Sequence, residues 1–216
     1  MPPKAKFTRE EIIAAAMKIV RKKGVEAVTA REIGNVLGSS ARPIFTVFES
    51  MDEVHEEVKK AAMAEFEKYA KKALNFTPIF KAFGVQFINF AKEEPKLFQL
   101  LYMQENESSV SLDEELKSLG SMLDVCIDSI QRDYDITLDE ARILFEQVWI
   151  FTFGIGVLCA GKTCHFSDET IFQLLGREFV SMLQLIKSGK LHLCNIQPEE
   201  GSTNEEMENM KEELIK

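Results

Sequence analysis

Ahead of five helical patterns a threonine or serine is followed three positions later by glutamate: at Thr8 and Glu11, Thr29 and Glu32, Ser50 and Glu53, Ser111 and Glu114, and Thr137 and Glu140. Each pair fits a capping box, in which the hydroxyl accepts from a first-turn N–H and the glutamate reaches back to the N–H of the capping residue. Thr77-Pro78 and Glu94-Pro95 place proline at two further helix starts. Ser167, followed by Asp168 and Glu169, opens a last helix with acidic groups at the positive end of its dipole. Strand signals are scarce, so an all-α fold of about nine helices is predicted.

The first helix is expected over 8–23, with Ile12, Ala15, Ala16, Ile19 and Val20 on one face and Gly24 as its stop. Residues 29–48, TAREIGNVLGSSARPIFTVF, then read as two short helices around a glycine turn. Thr29 and Glu32 start the first of these, and Ile33, Val36 and Leu37 are its inward face. Gly38 takes the left-handed conformation that ends it, and Ser39 or Ser40 caps the second. That second helix, 41–48, sets Ile44 and Phe48 inward at i and i+4 and leaves Arg42, Pro43, Phe45 and Thr46 outward. Pro43 is tolerated in a first turn but biases Arg42 away from helical angles. The whole is a helix-turn-helix.

Residues 8–54 resemble the N-terminal domain of the tetracycline-repressor (TetR/AcrR) family of transcriptional regulators. The matching pieces are a helix ending in RKKG, then TAREIG, VLGSS, PIFTVF and SMDEV, in order and at family spacing. The PKLFQLLYM and VWIFTFGIG segments resemble one subgroup of family bodies. The resemblance implies a three-helix DNA-binding head followed by an all-helical effector-binding and dimerisation body. Head and body are assigned here to 1–50 and 51–195, with an acidic tail over 196–216. Phe45 and Met51 stand where the family usually has a phosphate-binding tyrosine and lysine. Arg42 and Pro43 replace the usual glycine and threonine, and Phe153 a frequent histidine.

The proposed DNA surface comprises Thr29, Arg31, Ser39, Ser40, Arg42, Pro43, Phe45 and Thr46. An arginine can donate two parallel hydrogen bonds to guanine O6 and N7, which makes Arg42 the first choice for base reading. The hydroxyls of Thr29, Ser40 and Thr46 suit phosphate oxygens. A short helical hairpin with ordinary caps and solvated arginines is the plainer alternative. The formal charge of −9 would seem to argue against nucleic acid. Its distribution removes the objection: residues 1–50 hold 9 basic against 5 acidic side chains, and residues 51–216 hold 17 against 30. A positive head can neutralise phosphates locally while the acidic body weakens non-specific binding.

A recognition element this short reads few base pairs, so a homodimer on paired half-sites of double-stranded DNA is expected. The helix over 138–160 is apolar nearly all round from Val148 to Cys159, which predicts burial on more than one side. The last helix carries Phe172, Leu175, Phe179, Met182 and Ile186 at spacings of 3, 4, 3 and 4, a candidate dimer stripe or else intrachain core. Phe80, Phe83, Phe87 and Phe90 recur at 3, 4 and 3 on an earlier helix. An apolar effector pocket is assigned to Phe87, Tyr102, Met103, Met122, Cys126, Trp149 and Phe153, with ordinary core as the alternative.

Cys126, Cys159, Cys164 and Cys194 show no C-x-x-C spacing and read as reduced thiols of a cytoplasmic protein. No metal or cofactor is expected. His55, His165 and His192 lie far apart without a nucleophile around them, so no enzyme is expected. The longest uncharged run, 147–161, is shorter than a membrane span, and no membrane partner is expected. The chain therefore reads as a homodimeric repressor released from a palindromic operator by a small apolar effector. The alternative is a helical small-molecule or lipid-binding protein with a degenerate DNA-binding head.

Overall fold

A computed structural model describes residues 6–105 and 111–191. The acidic tail expected from residue 196 lies outside them. Among the described residues there are nine α-helices, two 3₁₀ turns and no strand. The helices are α1 (Arg9–Lys23), α2 (Ala30–Val36), α3 (Met51–Ala73), α4 (Ile79–Glu93), α5 (Pro95–Tyr102), α6 (Leu112–Lys117), α7 (Ser121–Tyr134), α8 (Leu138–Ala160) and α9 (Asp168–Lys187). The 3₁₀ turns cover Val25–Ala27 and Arg42–Thr46.

The total agrees with the predicted nine, but two members differ. The helix predicted over 41–48 is a five-residue 3₁₀ turn, with Pro43 in its first two positions. Its start has no side-chain cap, contrary to the role expected of Ser39 or Ser40. Proline bars the preceding residue from easy helical angles, so the segment is closed mainly by the tighter i to i+3 bonds of Ile44 to Ala41 and Val47 to Ile44, with one i to i+4 bond from the Phe48 N–H to Ile44 at its end. The count is restored downstream, where Gly120 at φ +58° separates α6 from α7.

Three of the five capping boxes close on both sides, at Thr8, Ser111 and Thr137. Thr29 and Ser50 accept from the N–H of Glu32 and Glu53, but those two glutamates turn elsewhere. Lys23 donates to Glu32 at 2.9 Å, while Arg9 and the Glu49 N–H each donate to Glu53 at 2.7 Å. A cation from a neighbouring element makes a charge-assisted bond that the local N–H does not match.

The apolar core is continuous from α1 to α9. In the head, Ile12, Ala16 and Val20 of α1 meet Ile33, Ile44 and Phe48, all essentially inaccessible to solvent. Val36, expected inward, is 45% exposed, because a helix of seven residues has room for one buried stripe and Ile33 with Gly34 occupies it. The head is not suspended on a free linker: α1 packs on both α3 and α5. Arg21 of α1 donates to Glu94 at 2.9 Å and lies 3.7 Å from Glu65, and Arg9 pairs with Glu53 and, at 3.6 Å, Glu57. His55 of α3 donates through Nε2 to the Val28 carbonyl at 3.0 Å.

In the body α4 and α8 are the central pair, flanked by α3, α5, α7 and α9. Phe80 meets Phe145 and Phe83 meets Trp149, so α4 and α8 run in the same direction. Phe80 meets Phe179 and Lys92 pairs with Asp168, so α9 runs against them. By length and a mean hydropathy of 1.8 over eighteen residues, α8 has the makings of a membrane span. Asp139, Glu140, Arg142 and Glu146 in its first turns shorten its uncharged run to 147–161. In the fold it is a core helix, contacted by α4, α5, α7 and α9.

Candidate functional site

The turn between α2 and the 3₁₀ segment is built by local backbone bonds. Gly38 stands at φ +64° after α2. The Ser39 N–H donates to the Gly34 carbonyl at 2.8 Å and the Gly38 N–H to the Asn35 carbonyl at 3.2 Å, the paired closure of a Schellman motif. Gly34 is the second requirement. A Cβ there would come within 2.9 Å of the Ser39 carbonyl oxygen and of the Ser40 carbonyl carbon, so only glycine lets the turn lie down on α2. Sequence reading passed over Gly34, whose signal was a glycine inside an otherwise regular capped helix.

With Ile44 and Phe48 buried beneath it, the segment presents its other face outward. Thr29, Arg31, Ser40, Arg42, Phe45 and Thr46 are exposed, and Ser39 and Pro43 are half-buried. Phe45 is 49% exposed, a large apolar surface with no intramolecular use. Some polar groups are already engaged: Thr46 donates its hydroxyl to the Pro43 carbonyl at 2.6 Å, and Lys6 donates to Ser39 Oγ at 3.2 Å. Among the described residues Arg31 and Arg42 form no ion pair, whereas Arg9, Arg21 and Lys23 of the same head are all paired with glutamates. The unneutralised positive charge among residues 6–50 thus includes the outward face of α2 and of the 3₁₀ segment. Met51, at the start of α3, is half-buried against the head core.

The pocket lies elsewhere than the sequence predicted. A cavity of about 380 Å³ opens between the start of α4, the middle of α8 and the first half of α9. Of the seven predicted lining residues only Trp149 borders it. Phe87, Tyr102 and Phe153 pack on one another and on Phe98, with ring centroids 5.1 to 6.3 Å apart, and fill the space assigned to a ligand. Cys126 is buried in the core, Met122 is half-buried and Met103 is exposed at the end of α5. The cavity walls are instead Phe80, Phe83, Trp149, Leu175 and Phe179, with Lys81 and Phe172 among its remaining lining residues. Phe83 and Phe145 stack on the two sides of Trp149, at 5.4 and 5.9 Å with interplanar angles of 7° and 8°.

The candidate dimer stripe is also divided. Phe179 and Ile186 are buried within the chain, Leu175 and Met182 are half-buried, and Phe172 is 60% exposed. A heptad-like stripe cannot distinguish the partner helix of its own chain from that of another, and Phe179 is taken up by Phe80 of α4 and Tyr134 of α7. The apolar surface left on α8 and α9 includes Ile150, Phe172 and Val180, with Gly154 exposed one turn after Ile150. Among the described residues no cluster of three or more His, Cys, Asp or Glu could hold a metal ion. No family model matches this chain, and no curated protein matches it.

Proposed function

We propose that this protein is a DNA-binding transcription regulator of the tetracycline-repressor type, acting as a homodimeric repressor whose body takes a small apolar effector. The single observation that carries this reading is the outward face of the helix-turn-helix. Arg31 on α2 and Ser40, Arg42 and Phe45 beyond the turn that Gly34 and Gly38 permit are exposed, and neither arginine is paired among the described residues. Such a face suits the floor and phosphate walls of a major groove, with Arg42 reading a guanine and the hydroxyls positioning the backbone. The residual apolar surface of α8 and α9 suits pairing with a second copy, which would present two heads to successive half-sites.

Effector control follows from how the head is attached. Since α1 is packed on α3 and α5 and pinned through Arg21 to Glu94, any shift of those body helices carries the head with it. An effector that prefers one head separation over another then changes operator affinity by its difference in affinity for the two shapes.

The test is selection of genomic DNA fragments by the full chain, followed by titration of the enriched sequence. A palindromic site is expected, with affinity falling steeply as salt rises. Arg42→Ala should cost about 1–3 kcal/mol at one base position and relax selectivity there. Absence of any enriched site, or unchanged selectivity in Arg42→Ala, would remove the reading. A second reading, a helical small-molecule carrier with a degenerate head, draws on the 3₁₀ form of the recognition segment and on the cavity in the body. It requires ligand binding with no selective DNA site, which the same selection distinguishes.

A further inference from the structure

The cavity between α4, α8 and α9 is lined mainly by apolar side chains and by a single cation. Lys81 is the only charged side chain among the residues that line it, and no acidic residue does. Its ammonium lies 4.3 Å over the Phe179 ring and 5.8 Å from that of Tyr134, and among the described residues it forms no ion pair. The rest of the wall is mainly aromatic, with the rings of Phe80, Phe83, Trp149 and Phe179. Of the polar groups in between, Thr152 has its hydroxyl committed to the Val148 carbonyl at 2.7 Å.

The space is kept open by glycines inside helices. A Cβ at Gly176 of α9 would meet nothing within 4 Å, and one at Gly84 of α4 would make only ordinary contact with Thr152 and Leu175. Glycine in a helix interior costs about 1 kcal/mol relative to alanine, and neither position has positive φ that would require it. Both border the cavity. A volume of about 380 Å³ falls within the range of small-molecule sites and is too small for a helix some 10 Å across.

We infer that this cavity binds an amphipathic organic anion, its apolar part among the rings and its carboxylate or sulfonate at Lys81. This deepens the reading of the body as an effector-binding half and rests on that reading for any effect on DNA. The binding step itself needs no DNA.

The chain supplies its own reporter, since Trp149 is its only tryptophan and forms part of the cavity wall. Decanoate and decanol, each below its aggregation concentration, are titrated into the full chain while Trp149 emission is followed. Decanoate is expected to give a saturable change with roughly tenfold higher affinity than decanol, the scale of a charge-assisted contact. Lys81→Met should bring decanoate down to the level of decanol and leave decanol unchanged. Gly176→Leu should abolish both responses while the thermal midpoint is held or raised, which separates filling of the cavity from loss of the fold. No saturable response, equal affinities that Lys81→Met does not alter, or full binding in a folded Gly176→Leu protein would each overturn the assignment. Failure to find an operator would leave all three results as they are, so the two readings fail separately.

Discussion

The two halves of α4 carry the same residue type and end in opposite states. Its first half presents Phe80 and Phe83, and a cavity lies beside them. Its second half presents Phe87 and Phe90, which close with Phe66, Phe98 and Tyr102 into packed aromatic core. The difference comes from what stands opposite. At the second half, Gly156 of α8 makes room for rings: a Cβ there would fall 2.9 Å from Phe98 and 3.0 Å from Phe87. At the first half, Gly176 of α9 makes room that no side chain enters. A glycine therefore marks either close packing or retained space, and the neighbours decide which.

The largest expected effect would break the packed half. Phe87→Ala removes a ring that touches Phe66, Phe98, Tyr102 and Trp149, and should cost about 3–5 kcal/mol in denaturant unfolding. A loss below 1 kcal/mol would mean that this half is not close-packed. Next comes Gly156→Ala, which pushes a methyl against two rings and should destabilise by about 1–3 kcal/mol, read from the same denaturation midpoint. Gly176→Ala has the opposite sign: with free space for the methyl, the gain in helix propensity should stabilise by about 1 kcal/mol. Equal shifts in the two glycine variants would erase the contrast.

The smallest effect is chemical and sharpens the question of how tightly the core is closed. Burial pushes the Cys126 thiol up to about 12, so at pH 8 its thiolate fraction in the folded chain is roughly one in ten thousand. A variant in which Cys159, Cys164 and Cys194 are serine should resist a disulfide reagent at pH 8 when folded and react fully in denaturant. Folded-state reactivity should rise only as the pH climbs well beyond that of an ordinary thiol. Rapid labelling at pH 8 would show that the core opens.

Much of this architecture was legible because its signals are local. Thr8, Ser111, Thr137 and Ser167 mark starts through bonds to groups three residues away, and α8 begins and ends where its pattern predicted. The turn that ends α2 and the burial of the segment after it were likewise readable in Gly38, Ile44 and Phe48. The regular helix predicted over 41–48 is instead a 3₁₀ turn over Arg42–Thr46, because Pro43 constrains more than the residue before it. The cavity was not legible. Phe87, Tyr102 and Phe153 carry the same aromatic signal as Phe80, Phe83 and Trp149, and nothing along the chain says which of them also border a cavity.

The chain by itself determined that it is helical, where most helices start, and which faces are apolar, since those properties depend on hydroxyls, prolines, glycines and a 3.6-residue period within a few positions of one another. Only the tertiary structure decided which apolar faces are consumed within the chain and which remain. Phe179 went inward, Phe172 stayed out, and Gly176 faces a void where Gly156 faces rings. Those outcomes depend on how three helices distant in sequence meet, and side-chain volume is matched there across contacts that no local pattern encodes.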